Sequence, residues 1–439
     1  MRRFSLYALG PGALASMLLA SPPGAAAQQR AVNLADAIRL SERAQPSVVQ
    51  ARANIETAAA QKRNAWGSYL PTISATSSAS EFFSEGAARV DPVTGQIQTG
   101  NSTSRSLNTG LSASLDLFTG FRRGAEMNAA RAGERAADAG LVDARFQQAL
   151  ATTNQFFDAL AAQQLVGVRE ASVRRAEEQL KVSINKLHAG TATRSDSLRS
   201  LVTLGSARLD LINAQVALAS AEAGLARLVG ETGRVRALDD SAYYRVVEAI
   251  DSGAVRADAE ANSPRIQSAE ADASVARANV KVSKAAYWPS LALSANTAWN
   301  AAKANDYDWL NQRGVSLALR WNLFDRFDRE LAVTEREATL DVAEAQAVDA
   351  RRAVSAELTA RLADLDASRA QIDITGTSVV AAREDLRVQQ ERYRLGASTI
   401  VDVLSSQEAL NQAEVDVLVA RFSYLRAKAQ IEALIGRNL

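Results

Sequence analysis

The chain of 439 residues lacks cysteine, and this absence excludes several kinds of chemistry. Disulfides, thiolate catalysis, metal sites built on cysteine and lipid attachment at an N-terminal cysteine are all ruled out. There is one histidine, His188, and it lies in a segment with turn-forming residues rather than beside other ligand types. We therefore expect no catalytic or metal-binding role for it.

An excess of charge of either sign is also lacking, with 50 basic and 49 acidic residues and a net charge of +1. A balanced charge gives no reason to expect nucleic acid as a partner. The acidic residues are spread at helical spacing, which is typical of solvated helix faces, and no glycine-rich phosphate loop is present. The sequence therefore predicts no catalytic residues, no enzymatic activity, no cofactor and no metal site.

Long apolar runs are missing beyond the N-terminus. Arg2 and Arg3 precede an apolar stretch, Leu14 to Ala20, and three alanines, Ala25 to Ala27. This order of positive, apolar and small residues is typical of a secretory signal peptide, which we assign to residues 1–27. No later segment has eighteen consecutive apolar residues, so we expect no transmembrane helix. The mature chain is expected to leave the cytoplasm, and any membrane contact would have to be made by strands.

An internal repeat organises the rest of the chain. Leu117 to Gly230 returns 206 positions later as Leu323 to Gly436. The prolines at positions 46 and 71 have counterparts 218 positions later, so a length change of 12 residues lies between Pro71 and Leu117. Self-similarity over such a distance indicates two copies of one structural unit. We divide the chain into a signal peptide (1–27), a first repeat (28–230), an inter-repeat linker (231–257) and a second repeat (258–439).

Each repeat begins with a helical stretch, Leu34 to Gly67 in the first copy and Val255 to Ala286 in the second, followed by a proline. The apolar pattern then changes to a period of two, as in Leu107 to Leu117 and, in the second copy, Leu291 to Trp299 and Val315 to Leu323. Each run has about ten residues, a length that crosses a bilayer when the strand is tilted.

Aromatic residues lie at the ends of these runs, where membrane proteins carry interfacial girdles. They are Tyr69, Tyr287, Trp288, Trp299 and Trp321. The segments between the runs, about 81–106 and 300–313, are polar and of unequal length, as expected for outer loops. A half-buried hairpin of a soluble protein remains the alternative interpretation.

A helical pattern without proline follows each returning strand, and it runs from Phe121 to Leu187 in the first copy. At 1.5 Å per residue such a helix is roughly 100 Å long. A shorter helix returns after a turn that contains glycine. Its heptads, such as Val403, Leu410 and Val417, predict close antiparallel packing, although an ordinary four-helix bundle explains this seam equally well.

Two strands per repeat give four strands per chain, fewer than the eight that close the smallest membrane barrels. Because backbone groups in lipid must be paired, the chain is expected to oligomerise, and three copies would give twelve strands. The predicted fold is mostly α with membrane β. It consists of a tandem-repeat protomer in a trimeric α-helical barrel that is continuous with a twelve-stranded transmembrane β-barrel.

The segment from Tyr393 to Leu404 resembles the periplasmic tip of TolC-type outer-membrane efflux proteins, and the resemblance extends over nearly all of the mature sequence. Weaker similarities lie at 34–38 and at 323–325. The resemblance implies a homotrimeric duct in the outer membrane with its helical part in the periplasm. Its implied partners are a periplasmic adaptor, an inner-membrane pump of the RND or ABC type and the lipid of the outer membrane.

The resemblance also implies a closed-state gate at the tip. The family's pore aspartate corresponds to Asp402, its linking tyrosine to Tyr393, and its polar pair to Ser195 and Asp196. Serines stand where the family has a linking arginine and a second pore aspartate, at Ser398 and Ser405. Either Arg194 or Arg394 is a candidate for the missing cation.

Asp402 has an alternative role as an acidic residue at a helix N-terminus. If three copies of it line one constriction, their repulsion is expected to raise their apparent pKa and to favour cations. The turns themselves are candidate adaptor contacts, because small residues admit another chain, although glycine at a helix C-terminus is also common. The turn residues are Ala189, Gly190 and Thr191 in the first repeat and Leu395, Gly396 and Ala397 in the second.

Three functions therefore compete. The leading interpretation is an export duct, and the sequence leaves open whether it serves drug efflux, type I protein secretion or metal export. A periplasmic coiled-coil scaffold and a pore that acts alone are the other two. The alternating strands argue against the scaffold, and the long helices argue against a simple porin.

Overall fold

The computed structural model describes residues 30–87, 89–91, 93–98, 102–244, 251–301, 309–437 and 439. The predicted signal peptide, 1–27, lies outside the described residues. The elements of the first half are β1 Arg30–Val32, α1 Leu34–Ala44, α2 Pro46–Gly67, β2 Thr72–Ser84, β3 Arg89–Val90, β4 Ile97–Gln98, β5 Ser102–Phe118, α3 Arg122–His188, α4 Arg194–Val229 and β6 Val235–Ala237. Those of the second half are α5 Ser252–Asn262, α6 Pro264–Lys284, β7 Ser290–Ala301, β8 Leu310–Arg320, α7 Asp328–Arg394 and α8 Ile400–Ile435.

The helices of the two halves have matching lengths and spacing. α3 and α7 each have 67 residues, and α4 and α8 each have 36, all at the offset of 206. α1 and α5 match at the offset of 218. The predicted long helix is therefore confirmed to within one residue at each end. α5 begins at Ser252, inside the stretch 231–257 that was assigned to a linker. The predicted domain boundaries stay a prediction.

The predicted single helix over 34–67 is wrong, because the chain divides it into α1 and α2. Gln45 between them is extended, with φ −80° and ψ 132°, and Pro46 opens α2. Proline has no N–H to donate and disfavours helical geometry in the residue before it. The same break recurs at Ser263 and Pro264, between α5 and α6.

Four long strands form one antiparallel sheet in the order β2, β5, β7, β8. β2 has 13 residues and β5 has 17, so both extend into the stretch predicted as a loop, and the short β3 and β4 pair within that loop. β1 pairs in parallel with β6. In the part of the chain that the structure describes, β2 and β8 are the edge strands of this sheet.

The two faces of the sheet differ in polarity. One face is largely apolar, with Ile73, Ala113, Ala295 and Val315 side by side across the four strands, and it also carries the hydroxyl pair of Ser77 and Thr109. The other carries hydroxyl pairs across β2 and β5, with Oγ atoms at 2.6 to 2.7 Å, formed by Thr72 with Ser114, Ser74 with Ser112 and Ser80 with Ser106. The alternation predicted for the first repeat is confirmed in this pairing.

The main core lies around the middle of the two long helices. Phe156, Leu160 and Leu358 are fully buried there, together with Phe422 and Ile431 of α8. α1, α5 and the pair β1 and β6 pack around this point. In the half next to the sheet the packing order is α2, α3, α6, α7, and in the other half it is α4, α3, α8, α7. Within the described residues, no helix is both long and apolar enough to cross a membrane.

Candidate functional site at the helical tip

Both turns that end the long helices are built in the same way. Gly190 and Gly396 have left-handed φ angles of 72° and 82°, which L side chains rarely adopt. The N–H groups of Thr191 and Ala397 then donate to carbonyls of the preceding helix, at 2.9 and 2.8 Å. Glycine thus closes each long helix with a tight C-terminal cap, as the sequence predicts.

A groove of about 470 Å³ lies between the two turns. Its lining comes from both repeats: Val182, Asn185, Lys186, Ala189, Thr191, Arg394, Leu395 and Gly396. Four of the six candidate docking residues are therefore brought together in one chain. Gly190 and Ala397 are exposed beside them, and Leu395 is 78% exposed, so an apolar side chain projects at this end of the molecule.

Asp402 lies in the capping box that begins α8. Its Oδ2 accepts bonds from the Thr399 N–H at 2.9 Å, the Thr399 hydroxyl at 2.8 Å and the Ser398 hydroxyl at 3.1 Å. These donors, led by the Thr399 N–H, hold the pKa of Asp402 below its ordinary value, and the charge of Arg392 adds to the effect. Within one chain the pKa shift is therefore opposite to the rise expected from a ring of carboxylates, because the cap favours the ionised form.

Tyr393 is buried, with 5% of its surface exposed. The Lys186 ammonium lies 4.6 Å from its ring centroid and donates to its backbone oxygen at 2.6 Å, which ties α3 to α7. Burial raises the pKa of the tyrosine, with a further contribution from the charge of Asp196. The neighbouring Ser183 hydroxyl opposes this rise of the pKa.

Arg194 and Arg394, the two candidates for the missing cation, lie at the two turns, and their role in a gate stays a prediction. Arg394 pairs with Glu391 at 2.8 Å, and Arg194 is exposed at the start of α4. Arg392 donates to the Ala397 oxygen at 3.3 Å and adds a small electrostatic contribution at Asp402, and Lys186 lies over the ring of Tyr393. The sequence analysis missed both, although the repeat gives a signal, because Lys186 and Arg392 occupy equivalent positions 206 apart.

The remaining candidate gate residues are divided between the two turns. Asp196 closes the capping box of α4, where its Oδ2 accepts the Thr193 N–H at 2.9 Å. The Ser398 hydroxyl lies 3.1 Å from both Gln389 Oε1 and Asp402 Oδ2, and its one hydrogen can be donated to either of them. Ser195 and Ser405 are exposed. His188 is exposed at the end of α3, and the described residues contain no cluster of three or more His, Asp or Glu that could hold a metal.

The family model for outer membrane efflux proteins matches residues 37–231 and 255–437 of this chain, one match in each repeat. The chain belongs to the outer membrane efflux protein family. The resemblance inferred from the tip segment is therefore confirmed, and the protein is an outer-membrane channel protein whose helical part lies in the periplasm. The family consists of channels rather than enzymes. This location contradicts the scaffold interpretation.

Several relatives illustrate the range of the efflux family. Protein CyaE of Bordetella pertussis is 29% identical over 332 residues, which cover 73% of this chain and 69% of the relative. Alkaline protease secretion protein AprF of Pseudomonas aeruginosa is 25% identical over 63% of this chain and 59% of its own length. Outer membrane protein TolC of Escherichia coli is 22% identical over 74% and 69%.

Solved channels of the efflux family share the fold. CusC superposes with a TM-score of 0.78 at 17% identity, covering 92% of each chain. VceC of Vibrio cholerae gives a TM-score of 0.75 at 18% identity, covering 92% of this chain and 96% of the other. At such identity the likeness establishes the architecture of the protomer, in which a four-stranded sheet continues into two pairs of long helices.

Proposed function

We propose that three copies of this chain form the exit duct of a tripartite export system. Substrates would pass from an inner-membrane pump of the RND or ABC type, through a periplasmic adaptor, into the duct and across the outer membrane without chemical change. The observation that carries this proposal is the continuity of a membrane-length sheet with helices that end in two adjacent tip turns.

The free edges of the sheet support the trimer. Among the described residues of one chain, β2 and β8 are the edge strands and have no strand paired on their outer sides, and every residue of β8 is exposed. Unpaired backbone groups in lipid are costly, and pairing β8 with β2 of a next copy removes both edges. Three copies would give a barrel of twelve strands. The apolar face would meet the lipid of the outer membrane, and the hydroxyl pairs would line the channel.

The tip supports docking to an adaptor. The groove between the two turns combines small residues with the exposed Leu395, a chemistry that suits a partner backbone and an apolar side chain. In the same proposal a threefold axis gathers three Asp402 carboxylates into the gate. The capping bonds of Asp402 keep them ionised and fixed in position.

The test is Gly396→Leu together with Leu395→Arg. Leucine strains a left-handed residue, whereas arginine changes only the exposed surface, so a defect common to both identifies the surface. Val93→Arg, at a site 90% exposed in the β3 to β4 loop, is the control. We expect trimers in the outer membrane for all three, with export and adaptor cross-linking lost only in the tip variants. Normal export by both tip variants would exclude docking at this groove.

A second candidate is the outer-membrane component of type I protein secretion. It is favoured by AprF, whose name assigns it to secretion of an alkaline protease. Expression of the chain with an ABC pump and its adaptor distinguishes the two, because efflux and secretion have different cargo. Release of a folded passenger protein would support secretion, and export of a small dye alone would support efflux.

A further inference from the structure

A groove lined by basic side chains lies between α2, α3 and α6, on the helical side of the membrane sheet. Its volume of about 610 Å³ is within the range of small-molecule sites in proteins. Its charged lining residues are five basic ones and one acidic one: Lys62, Arg131, Arg135, Arg277, Lys281 and Glu134. This basic groove therefore has a formal charge of +4, in a chain whose net charge is +1.

Most of the positive charge in the basic groove is not neutralised by the protein. Lys62 pairs with Glu134 at 2.7 Å, but Arg131, Arg135 and Lys281 are exposed and form no ion pair within the part of the chain that the structure describes. Arg131 and Arg135 are one turn apart on α3, a spacing at which like charges repel each other. An anion between them would remove that repulsion.

The second repeat carries the opposite charge at the same positions of its long helix. At the offset of 206, Arg131 corresponds to Glu337 and Arg135 to Asp341. Glu337 pairs with Lys284 of α6 at 2.8 Å. α6 thus has an acidic neighbour in α7 and a basic neighbour in α3. Since acidic residues are compatible with these helix positions, the basic residues of α3 are not a requirement of helix packing.

The basic groove lies close to the membrane interface. α3 begins beside the sheet at Arg122, so Arg131 is nine residues, or about 14 Å, from that end of the helix. Trp66 follows Lys62 by one turn on the same face of α2 and is 59% exposed. Exposed tryptophan near a membrane strand is typical of the headgroup level, and long basic side chains extend toward that level.

The donors in the basic groove suit a phosphate group. Arginine binds phosphate through two parallel N–H groups, and lysine adds a point charge. Arg131 and Arg135 belong to α3 and Lys281 belongs to α6, so the cations come from two neighbouring helices. Basic pockets between helices near a membrane surface bind anionic lipid headgroups in other membrane proteins. At about 30 Å³ per water molecule, the groove has room for about twenty waters and therefore for more than a phosphate ion.

We propose that the basic groove binds a phosphate-bearing anion, held by Arg131 and Arg135 of α3 and by Lys281 of α6. The volume of the groove and its level favour the phosphodiester headgroup of an anionic lipid over a free phosphate ion. A headgroup bound there joins α3 to α6, and so the first half of the chain to the second, beside the sheet. Only the outer-membrane location is needed for this ligand, which makes it independent of the proposed export duct.

Lipid retention by the detergent-extracted protein tests the proposal, with native mass spectrometry during a titration with phosphatidylglycerol. Phosphatidylcholine with the same acyl chains is the reference lipid, because its own ammonium group balances its phosphate. The wild type should retain phosphatidylglycerol in preference. Arg131→Gln with Arg135→Gln should weaken this binding by about tenfold or more, since charged hydrogen bonds are lost. Lys281→Gln tests the α6 side and should also weaken the binding.

Two further variants make the outcome specific. Arg145→Gln with Arg174→Gln removes the same charge from exposed positions of α3 outside the groove, and it should bind phosphatidylglycerol as the wild type does. An equal loss in this control would overturn the proposal. Arg131→Glu with Arg135→Asp introduces the residues of the second repeat. It should abolish binding without lowering thermal stability, because it removes like charges, and retained binding would also overturn the proposal.

Inorganic phosphate distinguishes the two sources of the phosphate group. A ligand that binds the folded protein raises its thermal stability. Phosphatidylglycerol should do so for the wild type, and inorganic phosphate at the same ionic strength should not. Stabilisation by inorganic phosphate alone, lost in Arg131→Gln with Arg135→Gln, would assign the groove to a free phosphate compound. Equal responses of the wild type and this variant to both probes would overturn the proposal, whatever the outcome for export.

Discussion

The helices α4 and α8 have the same length, the same capping box and the same offset from their long partners, yet they differ in what covers them. α8 lies between α7 and α3, so its second face is buried at Phe422 and Leu425. α4 has α3 on one side only, and Val216, the counterpart of Phe422, is 64% exposed. A duplicated unit thus places one copy of the same surface inside the chain and leaves the other for an external neighbour.

The largest expected difference is between Phe422→Ala and Val216→Ala. Phe422 is fully buried among aromatic rings, so its truncation should lower the free energy of unfolding by about 3–5 kcal/mol. Val216→Ala should change the stability of the protomer by no more than about 0.5 kcal/mol, as for surface substitutions, and should weaken the trimer instead. Chemical unfolding in detergent and native mass measurement separate the two effects. Similar losses of protomer stability would contradict the comparison.

The junctions between strand and long helix offer a second contrast. Gly120 has a φ of 63°, and a Cβ there would lie 2.7 Å from the Ala285 oxygen and 2.7 Å from the Trp288 Cβ. Gly120→Ala should therefore lower the free energy of unfolding by about 2–4 kcal/mol, because it combines a left-handed alanine with overpacking. Its counterpart Arg326 already has a φ of 58°, so Arg326→Gly should stabilise the junction by up to about 1 kcal/mol. Thermal unfolding of both variants measures the difference.

The third contrast is an ion pair whose acidic and basic residues are exchanged between the two repeats. Glu414 is 15% exposed and meets Arg175 at 2.8 Å and Arg383 at 3.6 Å, whereas its counterpart Arg208 pairs with Glu177 at the surface. Glu414→Gln should lower the free energy of unfolding by about 1.5–3 kcal/mol, because it weakens a charged hydrogen bond in a largely buried position. Arg208→Gln should cost about 0–1 kcal/mol and should lose its effect in high salt. Unfolding at two salt concentrations tests both.

The smallest difference is expected at the tip. Asp402 accepts three capping bonds, but Asp196 lacks the third donor, since Ala192 stands where Ser398 is. Asp402→Asn should therefore fray the first turn of α8 more than Asp196→Asn frays that of α4. Because the pKa of Asp402 is lowered on folding, its contribution is present above about pH 4 and is lost as the pH falls further. Hydrogen exchange at Thr399 to Val403 between pH 3 and 6 measures it, and equal exchange in wild type and variant at pH 6 would contradict the role.

The long helices and the seam against α3 could be predicted from the sequence, because a 67-residue stretch without proline has few alternatives and the heptads are regular. Val403 and Leu410 lie buried where the heptads place them. The exposure of the apolar residues Val202, Leu209 and Val216 on α4 could not be predicted, since their spacing is equally regular. Which of two apolar stripes is covered depends on the order of packed helices, and that is a tertiary property.

The candidate site was predicted in its location and only partly in its contacts. Both glycine turns and the capping role of Asp402 followed from local rules of helix termini. The contacts of Lys186 and Arg392 could not be predicted from these rules. A long cationic side chain can reach several groups, and the group that it contacts depends on the neighbouring helix. The gate and docking roles stay predictions.

The position of the main core along α3 makes that helix a lever. Phe156 is held in the core, and His188 at the tip is 32 residues further on. At 1.5 Å per residue this arm is about 48 Å long, so a tilt of about 5° at the core displaces the tip by about 4 Å. A displacement of that size exceeds the 2.6 Å of the Lys186 to Tyr393 hydrogen bond, which joins α3 to α7. Small angular changes beside the core are thus sufficient to open contacts at the far end, without any helix having to unfold.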